Sequence, residues 1–324
     1  MKSVKVLLCG VFMLLGLTVS AQQREVVVEC EWGTIGATMD MPAEGSDTAV
    51  LIVAGSGPTD RNGNSGLNLN TYAYKMLSDA LVEAGYAVLR YDKRAIGASY
   101  LPKEDIPNLI YDDFVSDAER CVAWLREQGY SRVFLAGHSE GGGIAIEVAQ
   151  RGVVDVAGLV LLAAPGYPMD RILLGQLSAQ LVPAHMGLFV VAERLIRKIK
   201  SGEVVEEGDV PQELLGLFHP TVQPFLHSSM QRDPCGMISE CDEPILIITG
   251  GRDIQVTVDN GEKLLAAARN ARHVTFDDMS HVLKDAPSSD RVEQLLSVYT
   301  NSQLPLTENL VSTIVEFMNE VITK

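Results

Sequence analysis

Basic residues are scarce: 26 Lys plus Arg stand against 42 Asp plus Glu in 324 residues, a formal net charge of −16. So acidic a surface repels phosphate backbones, and nucleic acid is excluded as a partner. Cysteine is scarce too. The five cysteines form no CxxC pair and no Cys/His zinc spacing, so neither thiol redox chemistry nor a bound metal is expected. GxGxxG and Walker spacings are missing, and with them any sign of an organic cofactor. The apolar run Val6–Val19 is shorter than a membrane span.

What is present suffices for a folded core, since 47% of residues are apolar and 21% are charged. Lys2 and Lys5 precede the run Val6–Val19, which ends in Val19, Ser20 and Ala21. A basic head, a short apolar stretch and a small-x-small site predict a secretory signal peptide over residues 1–21, cleaved after Ala21. The mature chain is then expected in the periplasm or outside the cell, with no stable membrane anchor. It loses two of the 26 bases and no acid, leaving 24 against 42, net −18. Export permits disulfides among Cys30, Cys121, Cys235 and Cys241, of which Cys235 and Cys241 alone are near each other in sequence.

Glu25–Glu31 and Thr34–Met41, parted by Trp32 and Gly33, predict an antiparallel opening hairpin. After it, apolar runs Ala49–Ala54, Ala87–Tyr91, Val133–Ala136, Leu159–Ala163 and Ile245–Thr249 alternate with amphipathic segments Tyr72–Ala84, Asp112–Gln128, Gly142–Arg151, Val258–Ala268 and Glu308–Val321. Unalternating runs rich in Val, Ile and Leu are what a sheet covered on both faces demands. Repeated strand and helix predict a doubly wound, mostly parallel α/β sheet. The rhythm breaks between residues 166 and 241, where Arg171–Leu181, Leu188–Ile199 and Gln212–Phe218 read as helices without strands between them. This predicts a helical cap inserted into a core of residues 22–165 and 242–324.

Gly137-His138-Ser139-Glu140-Gly141 stands directly between the run Val133–Ala136 and the helix beginning near Gly142. A serine at the apex of a tight strand-to-helix turn needs such flanking glycines, because a Cβ on either arm would collide as the arms converge. Ser139 is therefore the expected nucleophile. A serine hydroxyl needs a general base, and the base a carboxylate to orient it. Of six histidines, His138 sits in the turn itself, His185, His219 and His227 lie in the cap segment, and His273 begins the strand His273–Phe276. His281, in the loop after that strand, is the expected base. Asp253 follows the strand Ile245–Thr249 and is the expected orienting acid, with Asp277 and Asp278 as rivals that read as solvated loop residues. The oxyanion made by attack on a carbonyl should be met by the backbone amides of Glu140 and of Ser56 in the loop Gly55-Ser56-Gly57-Pro58, with Gly57 as the neighbour that could replace Ser56.

Gly55-Ser56-Gly57-Pro58-x-Asp60-Arg61-x-Gly63, Tyr91-Asp92-Lys93-Arg94, Gly137 to Gly142, Gly250 to Asp253 and Ser280-His281 together resemble a family of bacterial serine esterases in the α/β-hydrolase superfamily, some of whose relatives are peptidase-like. The resemblance spans nearly all of the chain beyond Ala21. It implies an α/β-hydrolase fold, a Ser-Asp-His triad in the order Ser139, Asp253, His281, and hydrolysis of a small-molecule ester through an acyl-enzyme. Ala95 departs from it, standing where relatives carry glycine, so a differently shaped loop is expected there. Asp60 and Arg61 are expected to brace their loop by ion pairing. Two rivals remain. One is a serine aminopeptidase or dipeptidase using the same triad, with Glu193, Glu203, Glu206 or Glu207 to receive a peptide amine. The other is a non-catalytic binding protein that keeps the fold. Met169, Leu173, Leu177, Met186, Phe189, Phe218 and Phe225 are candidates to line an acyl pocket.

Overall fold

The computed structural model describes residues 21–66 and 69–324, so the expected signal segment lies outside the described residues except for Ala21. β1 (Gln22–Cys30) and β2 (Gly33–Met41) form the opening hairpin, pairing antiparallel from Gln22–Met41 to Cys30–Gly33. They join β3 (Thr48–Val53), β4 (Ala87–Tyr91), β5 (Arg132–His138), β6 (Gly158–Leu162), β7 (Ile245–Gly250) and β8 (Ala271–Phe276) in one eight-stranded sheet of order β1-β2-β4-β3-β5-β6-β7-β8. β2 meets β4 antiparallel, and from β4 to β8 every pairing is parallel. This is an α/β-hydrolase fold with an antiparallel hairpin at its edge.

Unbroken apolar strands work because successive side chains leave opposite faces of the sheet. In β3, Ala49, Leu51 and Val53 join the core beneath α2 (Tyr111–Glu127) and α3 (Glu140–Arg151), while Val50 and Ile52 join the core beneath α1 (Ala73–Glu83) and α11 (Leu310–Ile322). β5 repeats this, with Val133 and Leu135 on the first face and Phe134 and Ala136 on the second. Each such Val, Leu or Phe contributes about 1.5–3 kcal/mol by leaving water. A polar residue at any of these positions would face a covered layer.

From β3 the chain crosses to β4 on one side and returns to β5 on the other. Where strand order reverses like this, the loops leaving neighbouring strands diverge and open a crevice at their carboxyl ends. The loops after β3 and β5, carrying Gly55 and Ser139, meet at that crevice.

Between β6 and β7 lie α4 (Met169–Leu181), α5 (Met186–Lys200), α6 (Leu215–Phe218), α7 (Gln223–Ser229) and α8 (Pro234–Ile238). α4 to α7 pack on an apolar cluster of their own around Leu173, Leu195, Ile196, Ile199 and Phe218, whereas α8 buries Ile238 in the core beneath α2 and α3. α9 (Val258–Ala267) follows β7, and α10 (Arg291–Ser297) precedes α11. α10 was not expected, because a helix of so few turns displays no helical period. Cys30, Cys121, Cys235 and Cys241 are free thiols, and Cys235 Sγ donates to the Gly166 carbonyl at 3.2 Å.

In the loop after β4, Ala95 adopts the left-handed backbone that favours glycine, at φ 59°, so the chain accepts a strain of about 1 kcal/mol there. What over-determines the loop is Asp92. Its carboxylate accepts from the Arg61 amide at 2.8 Å, from Arg61 Nε at 3.0 Å and from the Ala98 amide at 2.8 Å. Arg61 also pairs with Glu25 at 2.6 Å, and the Asp60 carboxylate accepts from the amides of Asn62 and Asn64 at 2.8 and 2.9 Å.

Candidate active site

Ser139 stands between β5 and α3 with φ 53° and ψ −123°, a backbone strain of about 1–3 kcal/mol. The flanking glycines are required by contact. A Cβ at Gly137 would lie 2.3 Å from the Gly141 carbonyl oxygen, and one at Gly141 would lie 2.2 Å from that of Val53. The loop after β3 also approaches closely, since a Cβ at Gly55 would lie 3.2 Å from the Ser139 Cβ. The loop expected to supply one oxyanion donor is thus packed against the serine, and Glu140, whose amide is the other expected donor, is the first residue of α3.

His281 and Asp253 are brought together from loops after β8 and β7. His281 Nδ1 lies 2.7 Å from Asp253 Oδ2, and both residues are buried. The other carboxylate oxygen, Oδ1, accepts from the amides of Gln255 at 2.7 Å and Val256 at 2.9 Å. Those two donors fix the carboxylate so that Oδ2 faces the imidazole. A carboxylate accepts, so Nδ1 carries the hydrogen and Nε2 is left as the basic nitrogen. Asp277 and Asp278 are exposed, and Asp278 pairs with Arg252 at 2.7 Å. Among the described residues no hydrogen bond joins Ser139 Oγ to the His281 ring, but both side chains line one cavity. Such contacts often tighten only when substrate is bound.

His138 has a place that sequence alone did not show. Its Nε2 lies 2.7 Å from the His281 carbonyl oxygen, its Nδ1 lies 2.7 Å from Tyr74 Oη, and Tyr74 Oη accepts from the Gly55 amide at 3.0 Å. The carbonyl can only accept, so Nε2 donates, Nδ1 accepts, and the tyrosine hydroxyl donates to it. Burial, and after it the neighbouring His281, push the His138 pKa from 6.5 down to about 3, so it is neutral in this chain of bonds. The three loops of the site are thereby tied together. Tyr74, on α1, carries no local sequence signal for that part.

A histidine held neutral in the fold makes stability depend on pH. Unfolded His138 takes a proton below about 6.5 and the folded form does not, so folding weakens as pH falls from about 6.5 toward about 3. Between pH 7 and pH 5 this one group is expected to remove up to about 2 kcal/mol of stability. Denaturant unfolding of wild type and His138→Gln at the two pH values checks it: the wild type should lose more stability than the variant, and equal losses would contradict it.

The cavity over Ser139 has a volume of about 750 Å³. Its floor includes Gly55, Ser56, Gly57, Ser139, Glu140 and His281, and its roof is mostly apolar, with Ile172, Leu173, Leu217, Val222 and Phe225 beside Gln176 and Thr221. Of the acyl-pocket candidates, Met169, Leu173 and Phe225 line it. Leu177, Phe189 and Phe218 pack into the apolar cluster of α4–α7 instead, and Met186 is exposed. Glu193, Glu203, Glu206 and Glu207 do not line it, and among the described lining residues Glu140 is the one acid. Among the described residues no group of three or more His, Cys, Asp or Glu could hold a metal ion.

Residues 64–284 match the family Hydrolase_4, described as serine aminopeptidase, S33. Esterase EstD of Thermotoga maritima is 28% identical over 269 residues, which cover 82% of this chain and 60% of that protein, so the chain spans about 60% of its relative's length. Among solved structures, the Pyrococcus furiosus esterase PF2001 is similar at a TM-score of 0.58 and 18% identity, over 93% of this chain and 92% of that one. Est1E of Butyrivibrio proteoclasticus with ferulic acid bound is similar at 0.58 and 18%, over 92% and 100%. The proline iminopeptidase of Mycobacterium smegmatis is similar at 0.58 and 16%, over 92% and 98%. At those identities the structures speak for the fold. The family match, however, runs across well over half of the residues, and the chain belongs to the serine aminopeptidase S33 family of hydrolases.

Proposed function

We propose that the chain hydrolyses carboxylic esters through an acyl-enzyme, with Ser139 as nucleophile, His281 as base and Asp253 as its orienting acid. The observation that carries this reading is the buried His281–Asp253 pair, 2.7 Å long, whose His281 lines the cavity that also holds the strained Ser139. His281 Nε2 takes the proton from Ser139 Oγ as the oxygen attacks the ester carbonyl. Asp253 stabilises the imidazolium so formed, while the amides of Ser56 and Glu140 hold the oxyanion. Collapse expels the alcohol, which receives the proton from Nε2. Water then attacks the acyl-enzyme by the same route and releases the acid.

Two observations support an ester over an amide. The roof of the cavity is mostly apolar, which suits an acyl chain or an aryl group. The cap acids that could receive a peptide amine face elsewhere, and the acid that does line the cavity, Glu140, stands 3.9 Å from Lys93. The family's description and the likeness to a proline iminopeptidase keep the amide reading in view. Kinetics on p-nitrophenyl acyl esters and on aminoacyl p-nitroanilides separate the two. The ester is expected to be favoured by at least about 100-fold in kcat/KM, a difference of roughly 2.7 kcal/mol. Preference for the anilide would assign the site to peptides, and turnover of neither would favour a binding protein.

A further inference from the structure

Lys93 and Glu140 are two buried charges that the triad chemistry leaves unused. Lys93 follows β4 with its side chain 5% exposed, and Glu140 opens α3 with its side chain 4% exposed. A lysine ammonium is kept from water only where it gains something in return. Here Nζ donates to the Gly55 carbonyl oxygen at 2.6 Å. Its nearest carboxylate is Glu140 Oε1 at 3.9 Å, and Glu140 Oε2 is buried without a hydrogen-bond partner among the described residues. Among those residues Lys93 is the cation that this carboxylate faces.

The Gly55 carbonyl belongs to the peptide unit whose N–H is that of Ser56. The unit is trans, so its C=O and N–H point to opposite sides of one plane, and whatever holds the oxygen also aims the hydrogen. An ammonium on the oxygen also draws electron density from the nitrogen and makes the N–H a stronger donor. Tyr74 Oη holds the preceding amide, that of Gly55, at 3.0 Å, so the unit is restrained on both sides. The carboxylate partner of Lys93 in turn belongs to Glu140, the residue whose own amide is the second expected donor. One buried pair thus spans both donors.

We propose that Lys93 is a positioning residue of the oxyanion hole: through the Gly55 carbonyl it aims and polarises the Ser56 amide, and through the Glu140 carboxylate it sets that amide against the Glu140 amide. This rests on the ester-hydrolase reading above. It accounts for a lysine and an acid, in Tyr91-Asp92-Lys93-Arg94 and in the Ser139 turn, that have no part in the proton transfers.

The test is made on wild-type protein whose ester turnover has first been shown to vanish in Ser139→Ala, so that failure of the ester-hydrolase reading is seen separately. Lys93→Met is then compared with wild type for kcat, KM, melting temperature and inhibition by an alkyl trifluoromethyl ketone, whose adduct with a serine carries an oxyanion. Lys93→Met is expected to lose about tenfold to a hundredfold in kcat, less than removal of a donor outright, with KM within about threefold. The ketone should bind more weakly by the same factor, because it resembles the transition state where the ester does not. A purely structural lysine would lower the melting temperature and leave the ratio of ketone affinity to substrate affinity unchanged. That result, or wild-type kcat in Lys93→Met, overturns the proposal. If Lys93→Met does not fold, Glu140→Gln decides by the same criterion, with matching losses of about threefold to tenfold in kcat and ketone affinity expected and unchanged values overturning it.

Discussion

Ser139→Ala is expected to lower ester turnover by about five to six orders of magnitude, measured as kcat on a p-nitrophenyl ester. The loss is that large because the remaining parts act only on a bond the serine has attacked: His281 has no hydroxyl to deprotonate, and the two amides have no oxyanion to hold. What persists should be the residual acceleration that an oxyanion hole and substrate binding give a water molecule, about 10³–10⁴ over solution. Stability should hardly change. The substituted alanine would inherit the backbone at φ 53° and ψ −123°, which strains alanine as it strains serine, and the flanking contacts of Gly137 and Gly141 do not involve the hydroxyl. A melting temperature within about 2 °C of wild type, with turnover lost, separates chemistry from folding. Turnover above about a tenth of wild type would remove Ser139 from the reaction.

Asp253→Asn is expected to cost about 10⁴ in kcat, for a reason the local bonds supply. The amides of Gln255 and Val256 both donate to Oδ1, so an asparagine there keeps its carbonyl oxygen toward them. Its NH₂ group then faces His281 Nδ1, where the carboxylate Oδ2 was. A donor in that place makes Nδ1 the acceptor and moves the imidazole hydrogen to Nε2, the nitrogen that must receive the serine proton. The base is present but carries its proton on the wrong atom. Turnover of this variant should recover as pH rises and hydroxide takes over the role of the base. The pH profiles of kcat for the two proteins show whether it does, and a loss below about tenfold would point to another acid.

The Ser139 turn was legible in the sequence because its requirement is local: a Cβ on either arm would stand 2.2–2.3 Å from backbone oxygen, and Gly137 and Gly141 record that. That His281 and Asp253 would stand together was legible because strand ends in a doubly wound sheet meet at one edge. The unalternating apolar runs marked the buried strands for the same kind of reason, each residue having a covered face to fill. Other features depend on contacts between distant segments. Tyr74 reaches His138 across 64 positions, and nothing near Tyr74 announces it. Asp92, Lys93 and Arg94 are three charged residues in a row, yet all are buried, the first on Arg61, the second on the Gly55 carbonyl, the third on Asp117 at 2.7 Å and over the Trp32 ring. The helices between β6 and β7 show apolar spacing, but spacing does not say which apolar face meets a cavity and which meets another helix. Leu173 and Leu177 lie one turn apart on α4, and the first lines the cavity where the second does not.

The central claim, that one hydroxyl is activated for attack, is tested most directly by a fluorophosphonate probe, which reacts with an activated serine and leaves ordinary hydroxyls untouched. Digestion and mass spectrometry of the treated protein should find the adduct on Ser139, at close to one per chain, with ester turnover lost in proportion. An adduct on a different residue, or full turnover in protein that takes up no probe, would contradict it.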